Sequence, residues 1–270
     1  MSEATPVSET VEPAAQPQRP RINKVYMDRP WTWLAKGWAD LSKSLHVGLI
    51  YGLVFSVIGA ALTYTVLVEE IYLYTFPLMA GFLLVGPLLA VGLYDTSRRL
   101  AMGQPVSLGT ALTAFRGNPT QIGMMGSLLL ILLFGWIRIA VLLFFMFFPY
   151  NPPAPTVQSF INTFLSIDAI PFLITGNLVG LAIAGVVFAV SAISIPLLLD
   201  RPQSNIFTAV TTSWMAVWQN PGTMALWAWL IVLFIAAGII TGFIGLIFTL
   251  PLIGHASWAA YKELVSWDDD

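Results

Sequence analysis

The two histidines of the sequence, His46 and His255, are the side chains that could together hold a haem. They lie near the ends of the first and the last apolar segment, and two facing imidazoles can ligate haem iron. The alternative is that each imidazole caps a helix or meets the membrane interface, and the sequence favours this alternative. A catalytic subunit of the haem–copper oxidase type needs more than two histidines within its spans. We therefore predict neither a cofactor nor a metal site.

Arg138 is the formally charged residue that stands well inside an apolar segment, in LLLILLFGWIRIAVLLFF. At 1.5 Å per residue it lies about 24 Å from the inner boundary, in the outer third of a core of about 30 Å. Two interpretations remain open. The guanidinium snorkels to the outer headgroups, or it faces the bundle and pairs with Asn177 and an outer carboxylate such as Asp168. A pair of this kind would form a buried polar site, the contact expected for an anionic ligand.

Three prolines, Pro87, Pro196 and Pro251, each stand in an apolar run that leads into a charged edge. Proline inside a helix frees a carbonyl group and kinks the helix. We predict kinks at these positions in helices that return to the cytoplasm, with a structural role. At the end of the first run, Asp95 precedes two arginines by three and four residues, a spacing typical of a solvated ion pair within one helix.

Composition excludes most soluble and enzymatic classes. The chain of 270 residues is 57% hydrophobic and 10% charged, whereas soluble domains are about a quarter charged. It has no cysteine, which excludes disulfides, thiolate catalysis and iron–sulfur clusters. The net charge of −2 predicts no attraction to nucleic acid. Glycine-rich phosphate loops, HExxH and GxSxG patterns are absent from the sequence, so we predict no enzyme.

The apolar segments predict an all-α polytopic membrane protein. A span needs roughly 20 mostly apolar residues, and continuous apolarity favours helices over a barrel. The six segments that qualify are 46–67, 72–95, 121–147, 169–199, 222–240 and 243–262.

Basic residues predict the orientation of these spans. Every Lys and Arg except Arg138 falls on one side of them, and basic loops stay in the cytoplasm, so both termini should be cytoplasmic. Residues 1–28 lack apolar clusters and are predicted to form a disordered tail. The six-span membrane domain then covers 29–265, and an acidic end covers 266–270.

A unit of three elements recurs three times in the sequence. Each unit has a short amphipathic helix, an outward span and an inward span with one of the prolines, which predicts three parallel hairpin repeats. Ser107 and Ser204 are predicted N-caps of the second and third short helices. Asn118-Pro119 and Asn220-Pro221 are predicted to start the spans that follow, with an Asn cap and Pro at the first position.

The short helices have apolar stripes at helical spacing. They lie in the cytoplasmic headgroup layer or pack on the bundle, and the sequence leaves both open. The stripes are Trp31, Leu34, Trp38, Leu41 and Leu45 in the first helix, Leu108, Ala111, Leu112 and Phe115 in the second, and Phe207, Val210, Trp214 and Val217 in the third. A further stripe in the outer loop 149–168 predicts a helix that rests on the outer leaflet or docks a partner.

The stretches GPLLAVGLYDTSRRLAMGQPVSL, SWMAVWQNPGTM and LPLIGHASWAAYKELV together resemble a family of bacterial integral membrane proteins, domain of unknown function 2189. The resemblance covers roughly residues 30–265. Some members are labelled cytochrome c oxidase subunits, which implies at most an association with respiratory membranes. The resemblance thus implies a bacterial inner-membrane location and supplies no catalytic residues.

Two functions remain in competition. The first is a non-enzymatic accessory or assembly component of a membrane complex, whose partners are the lipid bilayer and subunits of a respiratory complex. The second is a transporter, or a protein that handles lipids or small solutes, for which Arg138, Asn177 and the three proline kinks are the candidate groups. A third function, a membrane enzyme, is not supported by any group of catalytic residues in the sequence.

Overall fold

A computed structural model describes residues 20–69, 78, 81, 86–149 and 156–267, and these residues are almost wholly helical. Two short strands, β1 (Arg21–Ile22) and β2 (Val265–Ser266), pair antiparallel. The helices, with η for 3-10 helices, are α1 (Arg29–Lys43), α2 (Leu45–Val68), α3 (Val91–Ala101), α4 (Leu108–Leu112), η1 (Ala114–Gly117), α5 (Pro119–Phe147), α6 (Val157–Phe164), η2 (Ile167–Ala169), α7 (Ile170–Ser191), α8 (Ser194–Asp200), α9 (Ile206–Gln219), α10 (Pro221–Ile240) and α11 (Leu246–Leu264).

Four helical stretches among the described residues are long and apolar enough to cross a membrane: α2, α5, the stretch Ile167–Asp200 and α10. They correspond to four of the six predicted spans. Half of the predicted span 72–95 lies outside the described residues. The predicted span 243–262 corresponds to α11, which is more polar and is enclosed by protein from Ile253 to Tyr261.

The predicted span 169–199 is not one continuous helix. It breaks at Ala192 and Ile193, between α7 and α8. Pro196 explains the break, because it has no N–H and its ring collides with the carbonyl four residues earlier. The N–H of Ile193 donates instead to Ser213 Oγ of α9, at 3.1 Å. A neighbouring helix therefore satisfies one backbone N–H group at the break.

The other two prolines behave differently. Helix α11 continues through Pro251, and the carbonyl of Ile247, which proline cannot bond, lies against Gly52 of α2. A Cβ built on Gly52 would lie 2.2 Å from that oxygen, so α2 and α11 pack backbone to backbone. Pro87 lies in the helical residues 86–89, and a turn at Ala90 separates it from α3. The residues that would show a kink before Pro87 lie outside the described part.

The packed core lies at one end of the molecule, where α1, α3, α8, α9 and the C-terminal half of α11 meet. We call it the basic end, because it carries the Lys and Arg residues of the described part except Arg138. Trp33 and Trp227 are fully enclosed there and pack edge to face, with ring centroids 5.5 Å apart. Gly37 lets α1 approach the backbone of α11 at Ala256.

The two asparagines before prolines do not cap their own helices as predicted. Asn118 Nδ2 donates to the carbonyl oxygens of Leu198 and Ser204, at 3.2 and 3.3 Å. Asn220 Oδ1 accepts from the N–H of Val25 at 2.9 Å. Each asparagine therefore fastens the chain segment that precedes another short helix, a long-range role that the local sequence does not reveal.

Of the two serines predicted as N-caps, Ser107 is confirmed and Ser204 is wrong by one residue. Ser107 Oγ accepts from the N–H of Thr110 in α4. The cap of α9 is Asn205, whose side chain accepts from the N–H of Thr208 at 2.9 Å. Asn is as good a cap as Ser, so the local preference did not separate them.

The predicted disordered tail extends too far. Residues 20–28 belong to the folded part, since β1 pairs with β2 and the N–H of Asn23 donates to the carbonyl of Leu264 at 2.9 Å. We call this contact between β1 and β2 the clasp. Glu263 reinforces it, because its carboxylate bonds Arg29 and accepts from Trp33 Nε1 at 3.0 Å. The local sequence of residues 20–28 does not indicate this order, because their partners lie at the other end of the chain.

Candidate functional site

The structure does not bring the residues of the predicted polar site together. Arg138, Asn177 and Asp168 are all exposed, and no hydrogen bond or ion pair joins Arg138 to the other two within the described residues. The amide of Asn177 donates to the carbonyl of Leu173 in its own helix, at 2.7 Å. Exposure of Arg138 is what the snorkelling interpretation expects.

Arg138 stands on the barest of the four candidate spans. Only 17% of the most apolar stretch of α5 is buried, against 33% to 39% in the other three. One exposed row on α5 is Ile131, Gly135, Arg138, Leu142 and Phe145. We call this row the α5 face.

The two histidines have different environments. The side chain of His46 is exposed at the start of α2, whereas His255 is fully enclosed in α11. Its Nδ1 atom lies 2.8 Å from Ser97 Oγ. A shared haem requires both imidazoles to face one space, so an exposed and an enclosed histidine argue against it. The predicted alternative, a cap or an interfacial position, suits His46 but is wrong for His255, which lies in the protein core.

A buried hydrogen bond links two helices at the basic end. Ser97 of α3 bonds His255 of α11 across 158 positions of the chain. Burial raises the pKa of Asp40 in α1, and the nearby Ser97 hydroxyl, Lys43 and Lys36 offset only part of that rise. The sequence did not indicate the bond between Ser97 and His255, because Ser97 belongs to no motif and its partner is remote in the chain.

The hydrogen bond with Ser97 engages Nδ1 of His255, and which of the two groups donates depends on the tautomer of the imidazole. The other ring nitrogen of His255 is Nε2. That atom is enclosed and has no hydrogen-bond partner among the described residues.

Asp95 forms the ion pair that its spacing predicted, but its carboxylate is not solvated. The carboxylate is 1% exposed, and it bonds Arg98 Nη2 and Arg99 Nε, each at 2.6 Å. The two arginines are about a quarter exposed. Asp95 is enclosed because α4, α8 and α11 all pack around α3, and the Tyr51 hydroxyl of α2 fills the space beside Gly92.

The short helices at the basic end expose aromatic side chains. In α1 the buried row is Pro30, Trp33, Gly37 and Leu41, whereas Trp31 and Trp38 point outward. The predicted stripe of α1 thus divides between two faces. In α9 small residues such as Ala209 and Ala216 are buried, and the predicted stripe residues Phe207 and Trp214 are exposed.

The predicted helix in the loop 149–168 is present as α6. The Phe164 ring packs against Phe148 and Phe172, with centroids 6.4 and 5.6 Å apart, and so ties α6 to the ends of α5 and α7. Leu165 and Ile161 remain exposed.

Residues 74–200 match the model of a family described as "Predicted integral membrane protein (DUF2189)". This match confirms the resemblance to that family over residues 74–200. Together with the four long apolar helices, it identifies the chain as an integral membrane protein. A search of curated proteins and a search of solved structures found no match.

Proposed function

We propose that the protein is a non-enzymatic accessory or assembly component of a membrane complex, with a respiratory complex as the first candidate. The observation that carries this proposal is the contrast between its two parts. The basic end is packed around fully enclosed aromatic side chains, whereas α5 has little protein around it. A largely exposed apolar span next to a well-packed end is typical of a protein that binds other membrane proteins through that span.

The proposed architecture is six spans in three parallel hairpin repeats. In its support, the order of short helix, long helix and proline-bearing helix occurs in the second and third units as α4, α5, α7–α8 and as α9, α10, α11. Asn118 and Asn220 occupy corresponding positions in these two units. The residue three positions after each, Gln121 or Thr223, also bonds the segment that leads to another unit.

The proposed orientation places the basic end at the cytoplasmic face of a bacterial inner membrane, with both termini inside. Basic loops favour this side. Exposed aromatic residues on α1, η1 and α9 support a position of these helices in the headgroup layer, because indole rings prefer that depth. The residues are Trp31, Trp38, Phe115, Phe207, Trp214 and Trp218.

The experiment is purification of the full chain from native membranes in mild detergent, followed by native mass spectrometry. We expect membrane proteins to co-purify in fixed stoichiometry. Bulky substitution on the α5 face, Leu142→Trp, should reduce their recovery at least fivefold. The matched control is Leu181→Trp on α7, which is similarly exposed. Recovery of the chain without any protein partner would contradict the proposal.

The second candidate, a transporter or a protein that handles lipids or small solutes, has one observation in its favour. His255 bonds Ser97 through Nδ1, and its enclosed Nε2 atom has no partner in the described residues; ionisable groups inside membrane domains often mark proton relays. Proton flux into liposomes containing the purified protein, abolished by Ser97→Ala and His255→Gln, would establish this function. Under our proposal no flux is expected.

A further inference from the structure

The residues of the α5 face are spaced as in a helix–helix seam. Ile131, Gly135, Arg138, Leu142 and Phe145 are four, three, four and three positions apart, and all five are exposed. This alternation is the coiled-coil spacing, and most helix pairs in membranes cross at the corresponding angle of about 20°.

Gly135 gives the α5 face room for a second helix. A Cβ built on this residue meets nothing within 4 Å. Small residues at such positions let two membrane helices approach closely. Gly135 lies one turn before Arg138, so a helix packed against it would bring side chains to the guanidinium.

Arg138 gives the α5 face a charge that no acidic side chain of the described residues balances. It lies nine residues before the end of α5 at Phe147, roughly 14 Å along the helix axis. An arginine at this depth is costly unless it pairs or reaches the interface. Within the described residues, no acidic side chain is bonded to it.

A second copy of the chain does not supply the missing charge from its spans. Helices α2, α5, α7 and α10 contain no Asp or Glu, and the two aspartates of the candidate stretch Ile167–Asp200, Asp168 and Asp200, stand at its ends rather than at the depth of Arg138. We infer that the α5 face binds a transmembrane helix of a different protein. That helix places an Asp or Glu against Arg138 and packs closely against Gly135. This inference rests on the proposed function and names the chemistry of the partner.

The test uses the full chain in native membranes. A photo-reactive residue at Leu142 should cross-link a partner whose membrane helix contains Asp or Glu, and one at Leu181 on α7 should not. Arg138→Gln and Arg138→Glu should lower recovery of the complex at least tenfold, and Arg138→Lys less, because lysine keeps the charge but not the planar fork. Recovery with Arg138→Glu should return when the partner's carboxylate residue is replaced by Lys.

The outcomes separate this inference from the proposed function. If the same proteins co-purify with wild type and Arg138→Gln, the accessory function stands and this docking site is wrong, with Arg138 a snorkelling anchor bound to headgroup phosphate. If nothing co-purifies with wild type, the accessory function itself fails. A cross-linked partner without a membrane carboxylate, or a failed charge exchange, also overturns the inference. Equal thermal stability of wild type and Arg138→Gln monomers in detergent shows that the variant is folded.

Discussion

Asp95 neutralises two guanidinium groups at once, which makes it more critical than either arginine. Its carboxylate is enclosed, and one oxygen bonds Arg98 while the other bonds Arg99. Removing an arginine leaves the pair intact on the other side. Removing the carboxylate leaves two like charges together on α3, only partly hydrated.

Replacing Asp95 by Asn should therefore destabilise the protein by about 2–4 kcal/mol, toward the lower part of the range for broken buried pairs because water reaches both arginines. The measurement is the free energy of unfolding in detergent. Asp168→Asn, an exposed site at the opposite end, is the control and should stay within about 0.5 kcal/mol of wild type. Equal effects of the two substitutions would contradict the role of burial.

Glu263 should make stability depend on acid. Burial raises the pKa of this carboxyl, but hydrogen bonds from Arg29 and Trp33 more than offset that effect and hold the pKa below its ordinary value of 4.5. A group with a lowered pKa in the folded state stabilises it above the unfolded pKa, and the contribution disappears as the pH falls through the lowered value. The thermal midpoint of wild type should decrease as the pH drops below about 4.5. Glu263→Gln should weaken this dependence of the midpoint on pH. If the thermal midpoint of Glu263→Gln depends on pH as that of wild type does, Glu263 does not stabilise the contact between the two ends of the chain.

Helix contacts depend on glycines that no side chain can replace. Gly52 brings α2 onto the backbone of α11 at Ile247, beside the proline that frees the carbonyl. The clash is with backbone rather than with a flexible side chain, so neither helix can yield locally.

Gly52→Ala should accordingly cost about 1–3 kcal/mol of stability, the range for overpacked sites. Gly123→Ala on α5 is the matched control, since a Cβ there meets nothing within 4 Å. Alanine is the better helix former by about 1 kcal/mol, so the control should be neutral or stabilising. The measurement is the free energy of unfolding of both variants in detergent. A Gly52→Ala variant as stable as wild type would contradict the close contact between α2 and α11.

Tryptophans on the short helices should report their depth. In single-tryptophan variants, Trp31, Trp38 and Trp214 should be quenched by spin labels attached near lipid headgroups. Trp33 is enclosed by protein, and its emission should resist both these labels and aqueous iodide. Quenching of the three exposed residues by iodide alone would show that these helices project into water.

Sequence reasoning succeeded where a single helix carries its own signal. Apolar length predicted α2, α5 and α10 within about two residues, and the cap at Ser107 follows from local chemistry. It failed where the partner is remote in the chain. Asn118 bonds residues about 80 positions away, and His255 meets Ser97 across 158 positions. Spacing along one helix contains no information about such contacts.

The whole molecule has a charge asymmetry that predicts its topology. Because the described Lys and Arg residues other than Arg138 lie at the basic end, alkaline phosphatase fused after Asp270 should be inactive, as expected for a cytoplasmic C-terminus. A fluorescent protein fused at the same place should fold and fluoresce. Active phosphatase at this position would reverse the orientation.

The clasp between β1 and β2 has a consequence for synthesis of the chain. Helix α1 buries Trp33 against Trp227 of α10, and its surroundings are completed by α11 and Glu263. These elements leave the ribosome after α1 through α9. Until then the inner face of α1 has no protein cover, and a nascent chain keeps an aromatic surface accessible to insertases and proteases. Translation stalled before α11 should therefore yield a product that membrane quality control removes, even though α2, α5, α7 and α10 have already been synthesised.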